Sequence, residues 1–213
     1  NGEESFRPPL FPYILSAFYP NENLIKLISS FFGIISVFVL YFFVKELYDK
    51  KIAFISAIFL ATSNLYFFFG QKILTETLSA TLFILALFSL FLVFEKKKKI
   101  FLIPTSAFFG LAFLTRYTTG LLIPIFFFYF LLKFANKSER KNIFKIFISK
   151  EFAFSILILF FILLPWMYSN ILVYNDPFGA LMEGVTKAGP EFYSGPWYYY
   201  IQNWQAIFGI TSL

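Results

Sequence analysis

Six long apolar stretches separated by short loops are the feature that most constrains the fold of this chain. They occupy residues 24–44, 52–70, 77–94, 100–115, 117–134 and 152–169. A helix needs about 20 apolar residues to cross the hydrocarbon core of a bilayer, and each stretch approaches that length. Strands of a membrane barrel would instead alternate polar and apolar residues. The sequence therefore predicts an all-α, polytopic transmembrane helical bundle with about six spans.

The lysines and arginines of the chain fall almost entirely on alternate loops. Of the 18 cationic residues, the loops after the first, third and fifth stretches contain Lys45, Lys50, Lys51, Lys96, Lys97, Lys98, Lys99, Lys133, Lys137, Arg140, Lys141, Lys145 and Lys150. Short loops rich in lysine and arginine remain in the cytoplasm. We therefore predict a multi-pass protein of the cell membrane whose termini and active face are extracytoplasmic. The net charge of +6 reflects this topology and gives no argument for binding nucleic acid.

The residue types that are missing restrict the possible chemistry. The chain has no cysteine and no histidine, so thiolate sites and histidine-based acid-base or metal sites are excluded. It also lacks a glycine-rich phosphate loop and a GxSxG motif. Catalysis would have to use carboxylates, cations, hydroxyls and a hard metal ion.

The segment at 7–21 precedes the first span and is too short to cross a membrane. Pro8 and Pro9 prevent a helix from starting earlier, and the ten residues after them can form three amphipathic turns. We predict an external interfacial helix here. At the other end of the chain, residues 170–213 are predicted to form an external loop with an aromatic segment. The chain as a whole, 1–213, is expected to be one transmembrane module truncated at both ends.

Glu76 lies at the predicted external start of the third span. One interpretation is structural, because Thr75 is a plausible N-cap, an acid in the first turn interacts favourably with the helix dipole, and Lys72 is placed to pair with it. The other interpretation is functional, because ionisable groups near the membrane boundary are costly unless they are used.

Arg116 and Tyr117 follow the fourth span on the external side, where cations are scarce. Arg116 is either a snorkelling anchor beside an aromatic-belt tyrosine or a guanidinium that binds a phosphate near the membrane surface. Asp176 is interpreted as part of a turn, since Asn175, Asp176 and Pro177 form a typical turn sequence. Pro165 and Trp166 are predicted to close the sixth span.

The order of these features resembles that of a known enzyme family. The runs RPPLFPYILSAFYPN, GQKILTETLSATLF and FFGLAFLTRYTTGLLIPI resemble the dolichyl-phosphate-mannose and aminoarabinose transferase superfamily, over about residues 5–135 and more weakly beyond. Its members are GT-C type membrane glycosyltransferases that transfer a sugar from a polyprenyl-phosphate donor to a protein or lipid. The resemblance implies the same fold and activity here.

The resemblance also implies roles for single residues. Arg7 matches the basic residue of a K/R-P-P pattern that contacts the lipid phosphate, and Arg116 matches a basic residue that faces phosphate. Glu76 matches an acidic position near a divalent cation or the reacting groups, so a Mg, Mn or Zn ion is an expected cofactor. We also predict Tyr117 to be a substrate-binding residue beside Arg116.

One departure from the family pattern concerns the principal catalytic acid. Relatives carry it in the first external loop, well before the R-P-P motif, whereas this sequence starts six residues before Arg7. Glu3 and Glu4 lie too close to Arg7 to match it. The acid is therefore expected upstream of residue 1, and this segment alone is expected to be inactive. The alternatives are a transporter or flippase of polyprenyl-linked sugars and a non-catalytic membrane assembly partner.

Overall fold

The computed structural model describes residues 6–187, and every regular element in this range is a helix. The ten α-helices are α1 (Leu10–Ser16), α2 (Glu22–Leu47), α3 (Lys50–Ala61), α4 (Asn64–Gln71), α5 (Glu76–Phe94), α6 (Leu102–Thr115), α7 (Leu122–Ala135), α8 (Lys137–Phe147), α9 (Lys150–Tyr174) and α10 (Gly179–Lys187). Short 3-10 turns at Lys99–Phe101 and Tyr117–Leu121 precede α6 and α7. The all-α prediction is confirmed.

The helices include four segments that are long and apolar enough to cross a membrane. They are Glu22–Leu47, Glu76–Phe94, Tyr117–Ala135 and Lys150–Tyr174. A fifth span results if α3 and α4, which are bent by 58° at the break between them, are counted together. The remaining predicted span corresponds to the shorter apolar helix Lys99–Thr115. The helical membrane bundle is thus confirmed, with a span count close to the predicted six.

The spans pack around α5 and α6. Helix α5 lies between α2 and α6, α6 in turn packs on α9, and α3 and α4 pack on α2, with α4 also touching α5. At the α6–α9 contact, a β-carbon placed on Gly110 would lie 3.1 Å from Ile162 Cγ2 and 3.2 Å from Leu159 Cδ1. Small residues allow membrane helices to approach closely. Gly110 therefore brings the end of α6, which precedes Arg116, against α9.

The lysine-rich loops meet at one end of the bundle. Lys96 pairs with Glu46 at 3.0 Å, which connects α2 to the segment after α5. Lys133 of α7 pairs with Glu95 at 2.6 Å. Because these contacts join loops that are separated by whole spans, the alternation of charged loops along the sequence corresponds to two opposite ends in the structure. We call the end that contains Lys96 and Lys133 the lysine-rich end. The opposite end, which contains Glu22, Glu76 and Glu183, is called the acidic end.

Four details differ from the sequence-based expectations. Residues 170–174 and Gly179–Lys187, expected to belong to an external loop, are helical, and the rest of that predicted segment, 188–213, lies outside the described residues. Helix α9 continues through Pro165 to Tyr174, so Pro165 and Trp166 do not close the span. Proline is tolerated inside membrane helices because neighbouring groups satisfy the freed backbone carbonyl. Residues 137–147, expected to be a loop, form the amphipathic helix α8. Helix α1 has only 7 residues, fewer than the three turns expected.

The turn after α9 is confirmed. Asn175 adopts the left-handed conformation with φ 54°, which ends the helix. The Asp176 carboxylate then accepts a hydrogen bond from the backbone N–H of Phe178 at 2.9 Å. Asn170, buried in α9, donates to the carbonyl of Pro177 at 3.0 Å. These contacts support the structural interpretation of Asp176.

Candidate functional site

The acidic end contains an ion pair between two of the predicted site residues. Glu76 is the first residue of α5, and Arg116 is the residue at which α6 ends and the chain becomes extended. Nη1 of Arg116 lies 2.5 Å from Oε1 of Glu76, although 40 residues separate them in the sequence. Their side chains are 37% and 27% exposed, so the pair is partly open to solvent.

The structural interpretation of Glu76 is only partly correct. Thr75 occupies the N-cap position, but its side chain makes no capping hydrogen bond. Its backbone is helical, with φ −76° and ψ −11°, rather than in the extended conformation typical of a capping residue. Lys72 and Glu76 form no salt bridge in the described part of the chain. The Lys72 ammonium instead lies 5.3 Å from the centre of the Phe68 ring. The cation that pairs with Glu76 is Arg116.

Two buried oxygen atoms beside this ion pair have no hydrogen-bond partner within residues 6–187. They are Oε2 of Glu76 and the hydroxyl oxygen of Thr77. A buried polar group without a partner costs about 1–3 kcal/mol, so such groups are usually satisfied by water, an ion or a ligand. Oε2 of Glu76 therefore keeps unused capacity as a hydrogen-bond acceptor while Oε1 is paired with Arg116.

An aromatic cluster fixes the chain that follows Arg116. Nε1 of Trp166 in α9 donates a hydrogen bond to the hydroxyl of Tyr117 at 3.0 Å. The ring of Phe113 lies 5.4 Å from that of Tyr117 and 5.5 Å from that of Trp166. Trp166 is only 6% exposed. The cluster therefore attaches the turn carrying Arg116 and Tyr117 to α9.

Helix α1 brings the segment of Arg7 to the same end of the bundle. Arg7 is exposed and lies in a turn just before α1. Phe11 of α1 is buried in a cluster with Leu78 and Ala112. Leu78 is two residues after Glu76, and Ala112 is one turn before Arg116. The three predicted charged residues are thus positioned by elements that pack on one another.

Helix α10 adds a second ion pair to the acidic end. Lys187 and Glu183 are 2.6 Å apart, and the Lys187 ammonium lies 4.8 Å from the centre of the Phe6 ring. The pKa of the Glu183 carboxyl is lowered, mainly by the hydrogen bond from Lys187 and to a smaller extent by one from Tyr174. Sequence reasoning did not select this pair, although the four-residue spacing of Glu183 and Lys187 is a signal for it. It gave no indication that Trp166 would contact Tyr117.

Comparison with known proteins identifies the family. The family model for dolichyl-phosphate-mannose-protein mannosyltransferases matches residues 6–168. The chain belongs to this family. Searches of curated proteins and of solved structures gave no match. The match to this mannosyltransferase family contains Arg7, Glu76, Arg116 and Tyr117. Together with the apolar helices, it indicates a multi-pass integral membrane protein with glycosyltransferase activity.

The expected divalent cation has little support from the described side chains of this mannosyltransferase-family chain. Within residues 6–187, no group of three histidine, cysteine, aspartate or glutamate side chains could hold a metal ion. Glu76 has one unpartnered oxygen, and its other oxygen is held by the Arg116 cation. Magnesium usually needs further oxygen ligands, from water or substrate phosphates. These side chains do not form a metal site by themselves.

Proposed function

We propose that this chain is part of a glycosyltransferase that takes a sugar from a polyprenyl-phosphate donor and transfers it to a protein or lipid acceptor at the extracytoplasmic face. The observation that carries the proposal is the Glu76–Arg116 pair, with its unpartnered carboxylate oxygen, at the acidic end of a mannosyltransferase-family bundle. The distribution of cationic loops supports the extracytoplasmic assignment of that end.

Arg116 is the proposed contact for the donor phosphate. A guanidinium presents several N–H donors in a planar fork that matches phosphate geometry. The pair uses one of its nitrogen atoms on Glu76, and the side chain is 37% exposed, so other N–H groups remain for a ligand. Arg7, in the exposed turn before α1, is proposed to provide a second cation to the same phosphate.

Glu76 is proposed to act on the reacting groups through its free oxygen. Oε2 can accept a hydrogen bond from a sugar hydroxyl or from the acceptor. The carboxylate also partly neutralises Arg116 before the donor binds. A divalent cation shared between this oxygen and the donor phosphate stays a prediction.

The reaction breaks the bond between the anomeric carbon and the phosphate oxygen and forms a bond from that carbon to the acceptor oxygen or nitrogen. The leaving phosphate gains negative charge, and cations placed beforehand at this position stabilise the transition state. The acceptor proton must move to a general base. None of the described residues is assigned that role. The family resemblance leads us to expect inversion at the anomeric carbon.

The test is sugar transfer from radiolabelled dolichyl-phosphate mannose, and from other polyprenyl-phosphate sugars, in membranes that contain the full-length protein expressed from its complete reading frame. Arg116→Gln should lower kcat/KM by about 10-fold or more, because a hydrogen bond to a charged group contributes about 1.5–3 kcal/mol. Lys72→Gln is the matched control, since it removes a cation at the acidic end that lies over the Phe68 ring and forms no salt bridge within residues 6–187. Equal losses in the two variants, or normal donor kinetics in Arg116→Gln, would contradict the proposed role of Arg116.

A further inference from the structure

The lysine-rich end contains a small cavity that takes no part in the proposed transfer reaction. Its volume is about 60 Å³, and it lies between the end of α5, the loop after it, the end of α7 and α8. The polar side chains that line it are those of Lys97, Lys99, Lys133, Glu139, Asn142 and Lys145. We call this cavity the lysine pocket. It accommodates a group of the size of one phosphate.

The lysine pocket has an excess of positive charge. Lys133 is paired with Glu95 at 2.6 Å, and Glu139 accepts a hydrogen bond from Asn142 at 3.3 Å. The ammonium groups of the other three lysines form no ion pair with any carboxylate among residues 6–187. The pocket lining therefore contains four cations and one carboxylate, and Glu95, outside the lining, neutralises one of the cations, so the pocket favours an anion.

The walls of the lysine pocket are held in place by packing. Ile143 and Ile146 of α8 are buried, and Ile146 clusters with Val93 and Leu102. The ammonium of Lys99 donates a hydrogen bond at 2.8 Å to the backbone carbonyl of Lys145 in α8. These contacts attach α8 to the loop between α5 and α6, so the lysines converge in the folded chain rather than along the sequence.

The outer surface of α8 places the lysine pocket at the level of lipid headgroups. Phe144 and Ile148 are 65% and 70% exposed, beside the exposed cations Arg140 and Lys141. An amphipathic helix with exposed apolar and cationic side chains typically lies in the membrane interface. The pocket opens beside the ends of the spans α5 and α7, where lipid headgroups are the most abundant anions.

We propose that the lysine pocket binds the phosphate of an anionic phospholipid headgroup. Basic pockets between membrane helices on the cytoplasmic side are typical sites for such headgroups. A soluble phosphate offers the same chemistry, but the interfacial position of α8 and the adjoining spans favours the lipid. The site is at the opposite end from Glu76 and Arg116 and does not depend on the transfer activity.

The experiment is a titration of the purified protein in detergent with phosphatidylglycerol and with phosphatidylcholine, followed by native mass spectrometry. The wild type should bind phosphatidylglycerol more tightly. Lys97→Gln with Lys145→Gln should weaken phosphatidylglycerol binding roughly 25-fold, about fivefold for each lysine, with little effect on phosphatidylcholine. The control is Lys50→Gln with Lys51→Gln, which removes the same charge from the first turn of α3 at the same end and should change the affinity less than twofold.

The outcomes distinguish the possible ligands. In the wild type, the ammonium groups of Lys97 and Lys145 make no hydrogen bond or ion pair within residues 6–187. The melting temperature of the double variant should therefore match that of the wild type. If it does not, Lys145→Gln alone should still show about a fivefold loss. Excess inorganic phosphate at constant ionic strength should displace phosphatidylglycerol. The lipid assignment would be overturned if the wild type bound both lipids equally, and if it bound inorganic phosphate while the Lys97 and Lys145 variant did not. Equal losses in the test and control variants would overturn the pocket itself.

Discussion

Replacing Glu76 with glutamine should separate donor binding from turnover. The amide keeps the shape of the side chain and an oxygen that can accept from Arg116, but it removes the negative charge 2.5 Å from the guanidinium. It also removes the unpartnered carboxylate oxygen, Oε2. If Arg116 binds the donor phosphate, the carboxylate competes with that phosphate for the same cation. Glu76→Gln should therefore bind the donor more tightly and transfer the sugar more slowly.

The size of each effect follows from the geometry of the pair. Two unit charges about 4 Å apart interact by about 4 kcal/mol at an effective dielectric constant of about 20. Because Arg116 is 37% exposed, solvent screening reduces this to about 1 kcal/mol, which corresponds to about fivefold tighter donor binding. A hydrogen bond to a charged group contributes about 1.5–3 kcal/mol. Loss of that contact in the transition state should reduce kcat by roughly 10- to 150-fold.

The assay measures kcat, KM and the donor Kd for wild type and Glu76→Gln in reconstituted vesicles with a labelled polyprenyl-phosphate sugar. Glu22→Gln is the control, because Glu22 is likewise the first residue of a helix at the acidic end and is exposed. Unchanged kcat and Kd in Glu76→Gln would refute the reasoning and leave Glu76 as a structural acid. Weaker donor binding would show that Glu76 holds Arg116 in position instead of competing for it.

Four further predictions concern packing, pH and metal. Gly110→Leu should destabilise the α6–α9 contact by about 1–3 kcal/mol, seen as a lower melting temperature in detergent, whereas Gly70→Leu, at a site with open space, should not. The hydrogen bond from Lys133 is the largest cause, and that from Tyr129 the next, of a pKa of Glu95 below its usual 4.5 in the folded protein. The two bonds therefore stabilise the fold above about pH 4.5, and this stabilisation is lost as the pH falls through the pKa of the folded state. Thermal unfolding of Glu95→Gln should lack this acid-side decline, an effect of at most about 1 kcal/mol because the side chain is 39% exposed. Trp166→Phe should lose the hydrogen bond to Tyr117 and lower transfer severalfold, and an unchanged kcat/KM would limit Trp166 to packing. A chelator should abolish transfer, with recovery on adding Mg, Mn or Zn; full activity in the chelator would remove the cation from the prediction.

Part of the candidate site could be predicted from the sequence. The sequence indicates Arg7, Glu76 and Arg116, because they are charged residues on the side of the membrane where cations are scarce and their neighbours match family motifs. The family itself is confirmed. The roles of these residues, and that of Tyr117, stay predictions. The pairing of Glu76 with Arg116 instead of Lys72 could not be foreseen, because Lys72 is near in sequence whereas Arg116 comes close only through the packing of α5 and α6.

The helix ends were also beyond what local patterns determine. Pro165 predicts an end to a helix, but α9 continues through it because, in membrane helices, neighbouring groups satisfy the backbone carbonyl that the proline leaves without a donor. The charged segment 137–147 is typical of a loop, yet it becomes the helix α8 when Ile143 and Ile146 are buried against the bundle.

Hydrophobic length and the distribution of cations act locally along the chain, so the membrane environment, the helical class and the alternation of loops between two ends can be read without a structure. Which charged side chains meet depends instead on how the helices pack. The Glu76–Arg116 pair and the lysine pocket each join residues separated by tens of positions. Such contacts depend on how closely neighbouring helices pack, as at Gly110, and no periodicity within a single helix records that distance.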